Sequence, residues 1–436
     1  MPLLMYMDKY IGNKKVIVDG IKEFLEEKGI SDGLIIDVFA GTTNVSQYFK
    51  QRGFDVISND VNEFSYVLGK AYLENNEFPS FEKLINESEF SSFVVSEEDL
   101  NKDKLYIQRK IEADKIFEEG YYQKINFDQN IEPLLKVLQY LNRISLENLS
   151  EEEALFFDYY TVWGSQSTYK SARGTIGKRN YFSEENAKKL GKSLCLIKKW
   201  ANSNLITDLE KYILLACIIE EVTLNANVNG TFHDFNRSKL YPNAEAKLYF
   251  KPIMFNIFDE EKKYIVFRED ANELYKKNEF QNIDISESVL YIDPPYNFRQ
   301  YSAYYHMLNF IAKYCDIDDL LKYAAEFKFV RGQNMDDNFN SRYCYKDKFV
   351  RALTELIDDT KSRHVLISYY DENNHWSHGK KEASFEGRDA IINILKNVEG
   401  FSYYDKDPST IKRKNYQSQS GGHKKMIDEL LFYARR

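Results

Sequence analysis

Four consecutive residues, Asp293, Pro294, Pro295 and Tyr296, place a carboxylate, the backbone carbonyls of two prolines that lack the N–H to continue a strand, and a flat phenol ring side by side. The set contains hydrogen-bond acceptors and a stacking surface, with no nucleophile and no metal-ligand cluster. Acceptors of this kind grip an amino group, and a ring stacks on a base. An exocyclic base amine is a poor nucleophile because its lone pair is delocalised into the ring. Two fixed acceptors on its hydrogens favour a tetrahedral nitrogen that can attack an electrophilic methyl group, an electrostatic preorganisation argument. The rival reading is an Asp-Pro-Pro turn that only caps a core strand.

The elements that must position this turn are legible around it. Val289-Leu290-Tyr291-Ile292 is a short apolar run rich in β-formers, which predicts a buried parallel strand whose carboxyl end carries the turn. In an open α/β sheet, ligands bind at such ends. Leu34-Ile35-Ile36-Asp37-Val38 predicts a second buried strand, followed by the small-residue turn Phe39-Ala40-Gly41-Thr42-Thr43 and a helix from Val45 to Arg52. Gly41 permits close approach of a ligand to the backbone, and the helix start offers free N–H groups. Asp55 to Asn59 forms a third strand ending in Asp60, roughly 20 residues after Gly41, a spacing suited to accepting from ribose hydroxyls. Tyr264 to Phe267 reads as a strand leading to Asp270, poised to accept from an adenine amino group. Ser362 to Tyr370 reads as another strand, and two closing strands near Phe401–Tyr404 and Glu429–Tyr433 are expected to pair as an antiparallel edge. An amphipathic helix from Val16 to Glu27 buries Ile17, Ile21, Phe24 and Leu25.

From Glu77 the parallel pattern stops. Two helical stripes, Ile131/Leu134/Leu135/Leu138/Leu141 and Leu209/Tyr212/Ile213/Ala216, read as core. Between them a glycine-broken basic loop, Tyr169 to Tyr181, precedes a helix capped by Ser183. Its Lys170, Arg173, Lys178 and Arg179 suit phosphate contacts, although an ordinary solvated loop is the alternative. A second basic cluster, Lys412, Arg413, Lys414, His423, Lys424 and Lys425, is expected on a loop near the end. The expected organisation is a discontinuous domain of residues 1–76 and 260–436, interrupted by a largely helical insertion, 77–259, that holds the target-recognition region.

Composition limits the alternatives. The 436 residues suit two or three domain-sized units, and 43% hydrophobic and 15% aromatic residues exclude wholesale disorder. No apolar run approaches the roughly 18 residues needed to cross a bilayer, and a signal-peptide pattern is absent, so a cytoplasmic protein without a membrane partner is expected. Cys195, Cys217, Cys315 and Cys344 lie far apart, indicating neither a zinc site nor a disulfide framework. A net charge of −9 argues against indiscriminate nucleic-acid binding, but not against a local basic cleft.

With these residues in view, the chain resembles the DNA adenine-N6 methyltransferases of the alpha motif order, a Dam-like group that includes many restriction–modification methylases. Asp293-Pro294-Pro295-Tyr296 resembles the catalytic motif of that family, Phe39-Ala40-Gly41 its S-adenosylmethionine motif, and Lys9 to Lys14 its N-terminal cofactor motif. Asn297-Phe298-Arg299-Gln300-Tyr301 through His306, and Ile367-Ser368-Tyr369-Tyr370-Asp371-Glu372, match the flanks. The likeness spans about 9–75 and 225–436, and its force is the order of the motifs. Thr42-Thr43 depart from it, standing where many relatives carry a second glycine.

The resemblance implies a Rossmann-like α/β methyltransferase sheet using S-adenosylmethionine and no metal. It implies that Asp293 and the Pro294 carbonyl hold the amino group of a flipped adenine, with Tyr296 stacked on its ring. Phe39, Gly41 and Lys14 would line the methionine end of the cofactor, beside Tyr10, Asp37, Ala40 and Asp293. Asp60 would hold the ribose, and Asp270 the cofactor's adenine. Double-stranded DNA is the implied partner, met by the basic residues above together with Arg299 and Tyr301, and a cognate restriction endonuclease is a candidate second partner. Cytosine N4, adenine in RNA, or a dead DNA-binding scaffold remain as alternatives.

Overall fold

The computed structural model describes residues 7, 10–112, 131–253, 262–370, 374–376, 385–414 and 426–436. Twelve strands occur among them: β1 (Leu34–Asp37), β2 (Asp55–Asn59), β3 (Thr168–Lys170), β4 (Ile176–Lys178), β5 (Tyr264–Phe267), β6 (Val289–Ile292), β7 (Phe327–Lys328), β8 (Gln333–Asn334), β9 (His364–Tyr370), β10 (Tyr403–Tyr404), β11 (Ser409–Lys414) and β12 (Met426–Arg435). The main sheet runs β10-β12-β9-β6-β1-β2-β5, with β11 also beside β12. Strands β9, β6, β1, β2 and β5 are mutually parallel, whereas β12 runs antiparallel to β9, β10 and β11.

The chain steps outward from β1 to β2 to β5, then returns to the other side of β1 for β6 and β9. The reversal opens a crevice at the carboxyl ends of β1 and β6, where an α/β sheet binds ligands. Side chains alternate across the sheet. Ile36, Leu290 and Ile367 face the helices Lys346–Thr360 and Glu386–Asn397 through Leu353, Leu356, Ile391 and Leu395. Ile35, Tyr291 and Leu366 face Ile21, Phe24, Leu25, Val45 and Phe49 of the helices Val18–Glu27 and Asn44–Lys50. This mainly parallel sheet covered by helices on both faces is the expected Rossmann-like α/β class.

A third core is helical. Leu134, Leu138, Ile213 and Ala216 meet in it with Phe156, Phe310 and Tyr314. Helix Glu184–Asn202 starts as expected, with Ser183 Oγ accepting from the Asn186 amide at 3.3 Å. Two expectations need correction. Residues 169–181 are not a plain loop: β3 and β4 pair as a hairpin, closed at Gly174 by its left-handed φ of +83°. Lys412, Arg413 and Lys414 lie on β11, not on a loop, while His423, Lys424 and Lys425 fall outside the described residues. The closing strands β10 and β12 pair antiparallel at one end of the main sheet, as expected, and β11 adds a further antiparallel partner to β12. Among the described residues, no helix is long and apolar enough to cross a membrane.

Candidate active site at the carboxyl ends of β1 and β6

Asp37 and Tyr291 are in register on the adjacent strands β1 and β6, so the turns that follow open side by side. Phe39, Ala40 and Gly41 from one turn, and Asp293, Pro294, Pro295 and Tyr296 from the other, line a single pocket. Its atom-free space is about 950 Å³, part of it open to solvent. Tyr10, Lys14, Asp37, Asp60, Asp270 and Tyr301 line the same space.

The first turn is held by its neighbours. The Ala40 amide donates to the Asn59 carbonyl, and the Gly41 amide to Asp60 Oδ2, each at 2.9 Å. Gly41 sits at φ +52°, where a Cβ would lie 3.2 Å from the Tyr10 hydroxyl. Both facts favour glycine here. Thr43, where the resemblance led us to note a missing glycine, also adopts a left-handed conformation, φ +60°. Its hydroxyl accepts from Gln47 Nε2 at 2.9 Å, which helps hold that backbone in place. Asp60 Oδ1 accepts from the amide and side chain of Asn62 at 2.9 and 2.8 Å. Burial pushes the Asp60 carboxyl up, opposed by these hydrogen bonds.

Asp37 is buried, and its Oδ2 accepts from Ser46 Oγ at 2.7 Å. Its other oxygen, also buried, has no hydrogen-bond partner among the described residues. Burial, reinforced by the charges of Asp293 and Asp60, pushes this carboxyl up to about 7 against the pull of Ser46. Asp270 caps the loop after β5, its Oδ1 accepting from the Asn272 amide at 3.0 Å.

At the second turn, the Lys14 ammonium is 2.9 Å from Asp293 Oδ1 and also meets Glu429 Oε1. Lys14 thus reaches the acid of the tetrapeptide as well as the pocket. The Tyr296 ring stands edge-on to Tyr370, with centroids 5.4 Å apart. Glu429 went unnoticed in the sequence, since a lone acid in an apolar strand reads as an ordinary solvent-facing position. Phe339, Ser341 and Tyr343 also line the pocket; their stretch carries no motif.

The basic residues divide. Lys170 and Arg173 are exposed on the β3–β4 hairpin, Arg299 is exposed after the second turn, and Lys412 is exposed on β11. Lys178 is exposed, yet its ammonium donates to the Gly164 carbonyl at 2.8 Å. The side chains of Arg413 and Lys414 lie outside the described residues. Tyr301 faces the pocket, its ring centroid 6.0 Å from that of Tyr10. Arg179 is a correction. It is 3% exposed, and its guanidinium donates to the carbonyls of Val330, Tyr159, Gln166 and Phe329. A cation enclosed in this way cannot reach a phosphate.

The donor set fits a nucleoside carrying an amino-acid tail. The orphan oxygen of Asp37 suits an ammonium group, Asp60 suits vicinal hydroxyls, Asp270 suits a ring amine, and Gly41 leaves room at the backbone. Among the described residues, no group of three or more His, Cys, Asp or Glu is placed to hold a metal ion.

Comparisons with known proteins place the chain in a family. The chain is 30% identical over 434 residues to modification methylase StsI of Streptococcus sanguinis, covering 98% of this chain and 52% of that protein. It is 29% identical over 365 residues to the type II methyltransferase M.FokI of Planomicrobium okeanokoites, covering 84% and 44%. To the type II methyltransferase M.NlaIII of Neisseria lactamica it is 27% identical over 366 residues, covering 83% of each. The chain therefore spans about half the length of the first two. No solved structure matches the sequence. The model of the D12 class N6 adenine-specific DNA methyltransferases matches residues 10–365, and the chain belongs to that family.

Proposed function

We propose that this chain transfers a methyl group from S-adenosylmethionine to N6 of an adenine turned out of double-stranded DNA, as the modification half of a restriction–modification system. The observation that carries the reading is the shared pocket: the turn at 39–41 and the turn at 293–296 open into one space. When bound, the cofactor supplies an electrophilic methyl. Asp37 receives its ammonium, Asp60 its ribose and Asp270 its adenine. Asp293 and the Pro294 carbonyl accept from the target amino group, and Tyr296 stacks on the target ring.

Asp293 and the Pro294 carbonyl would direct the N6 lone pair at that methyl, the new N–C bond would replace the methyl–sulfur bond, and the nitrogen would give one proton to solvent. Turning the base out costs a few kcal/mol. Stacking on Tyr296 offsets about 1–3 kcal/mol of it. Holding donor and acceptor together supplies much of the rate. The segment 77–259 is read as containing the target-recognition region, with Lys170 and Arg173 of the β3–β4 hairpin on the DNA backbone.

Asp293→Ala is expected to abolish incorporation of tritiated methyl into DNA while a cofactor titration stays within a few fold of wild type. Incorporation by this variant near the wild-type rate contradicts the mechanism. Mass spectrometry of the product nucleosides separates N6-methyladenine from N4-methylcytosine, and parallel DNA and RNA substrates settle the polymer.

A further inference from the structure

We propose that Glu429 is a positioning residue for this transfer: it offsets the charge of Lys14, so that Lys14 orients Asp293 without neutralising it. The inference rests on the proposed function and extends its site to the last strand of the sheet.

Glu429 lies in β12, its backbone in register with Tyr370 of β9 on one side and Ile411 of β11 on the other. Its side chain is fully buried, and the residues that follow, Leu430, Leu431 and Phe432, are buried apolar side chains. A carboxylate at such a position is costly unless it is paired, and an apolar residue of similar size is often the more stable choice. Ser368 Oγ of β9 donates to Glu429 Oε1 at 2.7 Å and fixes it. The same oxygen meets the Lys14 ammonium, which is itself 2.9 Å from Asp293 Oδ1. One cation thus stands between two carboxylates, contributed by the N-terminal segment, the second turn and the last strand.

The charge arithmetic gives this arrangement a purpose. A lysine paired with Asp293 alone makes a neutral ion pair, and a neutralised carboxylate is a weak acceptor for an amino group on which positive charge develops. Adding Glu429 returns the trio to a net −1. Lys14 then holds one oxygen of Asp293 in place, and the carboxylate keeps its acceptor strength. Asp37 from β1 and the phenols of Tyr10, Tyr291 and Tyr301 lie in the field of Asp293. Among the described groups in that field, Lys14 is the cation in ion-pair contact with Asp293.

The test is a double-mutant cycle on the full chain, with Glu429→Gln and Lys14→Met alone and together. Single-turnover methyl transfer is measured at saturating cofactor and DNA, alongside cofactor titration and thermal unfolding. Glu429→Gln is expected to slow transfer at least tenfold on the wild-type background, with cofactor affinity changed less than threefold. On the Lys14→Met background the same substitution is expected to cost less than threefold, because no charge remains to be offset. Equal losses on the two backgrounds overturn the proposal and leave Glu429 a structural residue of the sheet. Should Glu429→Gln alone fail to fold, a tenfold or larger drop between Lys14→Met and the double variant overturns it as well. A wild-type protein that takes up the cofactor yet methylates neither DNA nor RNA defeats the proposed function itself, before any variant is compared.

Discussion

Asp37 keeps its proton into a range where an exposed carboxylate has long lost it. Its folded value of about 7 stands above the usual 3.8, chiefly through burial. The sign follows from proton counting: between these two values the folded chain holds a proton that the unfolded chain has released, so stability falls as pH rises through that window. Asn at the same position is neutral throughout and can still accept from Ser46. The thermal midpoint of Asp37→Asn relative to wild type is therefore expected to climb between pH 5 and pH 8 in the absence of cofactor. A constant difference across that range refutes the assignment. At this scale much of the site was readable, because Asp37, Gly41, Asp60, Asp270 and Asp293 stand at or shortly after the carboxyl ends of strands whose apolar runs are visible locally. Glu429 was not, since its partner Lys14 lies 415 positions away and only folding brings the two together.

Elements tell a similar story through Arg179. Its neighbours Lys170, Arg173 and Lys178 suggested a basic surface, and local composition cannot reveal that one member turns inward. The guanidinium ties the chain at Tyr159 and Gln166 to the β7–β8 hairpin at Phe329 and Val330, with donor–acceptor distances of 3.0 to 3.4 Å. These carbonyls come from two separate segments, so removing the fork leaves both without their shared donor. Leaving buried acceptors unsatisfied costs about 1–3 kcal/mol each, moderated where water enters. Arg179→Met is expected to lower the denaturation midpoint by the equivalent of roughly 2–4 kcal/mol. Arg179→Lys is expected to recover little of this, because a single ammonium cannot reproduce the planar fork. Full recovery with lysine, measured by urea unfolding, argues against the strut. The hairpin β3–β4 escaped the sequence reading for a related reason: each strand is three residues long, too short for alternation to register.

The polyanionic substrate proposed above would have to be met by a chain of net charge −9. Average charge opposes the encounter, so binding has to be carried by local cations placed where the duplex passes. The structure leaves Lys170 and Arg173 exposed on one hairpin and Arg299 exposed just after the 293–296 turn, whereas Arg179 is committed to the interior. Each cation that neutralises a phosphate releases a condensed counterion, which steepens the fall of log K with log salt by about 0.9. Replacing Lys170 and Arg173 together by alanine is expected to flatten that slope by roughly 1–2 and to weaken DNA binding most at low salt. Cofactor affinity, proposed above to depend on Asp37, Asp60 and Asp270, is expected to stay unchanged. Fluorescence anisotropy with a labelled duplex over a salt series reads the slope directly. An unaltered slope removes the β3–β4 hairpin from the DNA path and leaves the duplex to be sought on the Arg299 side of the pocket.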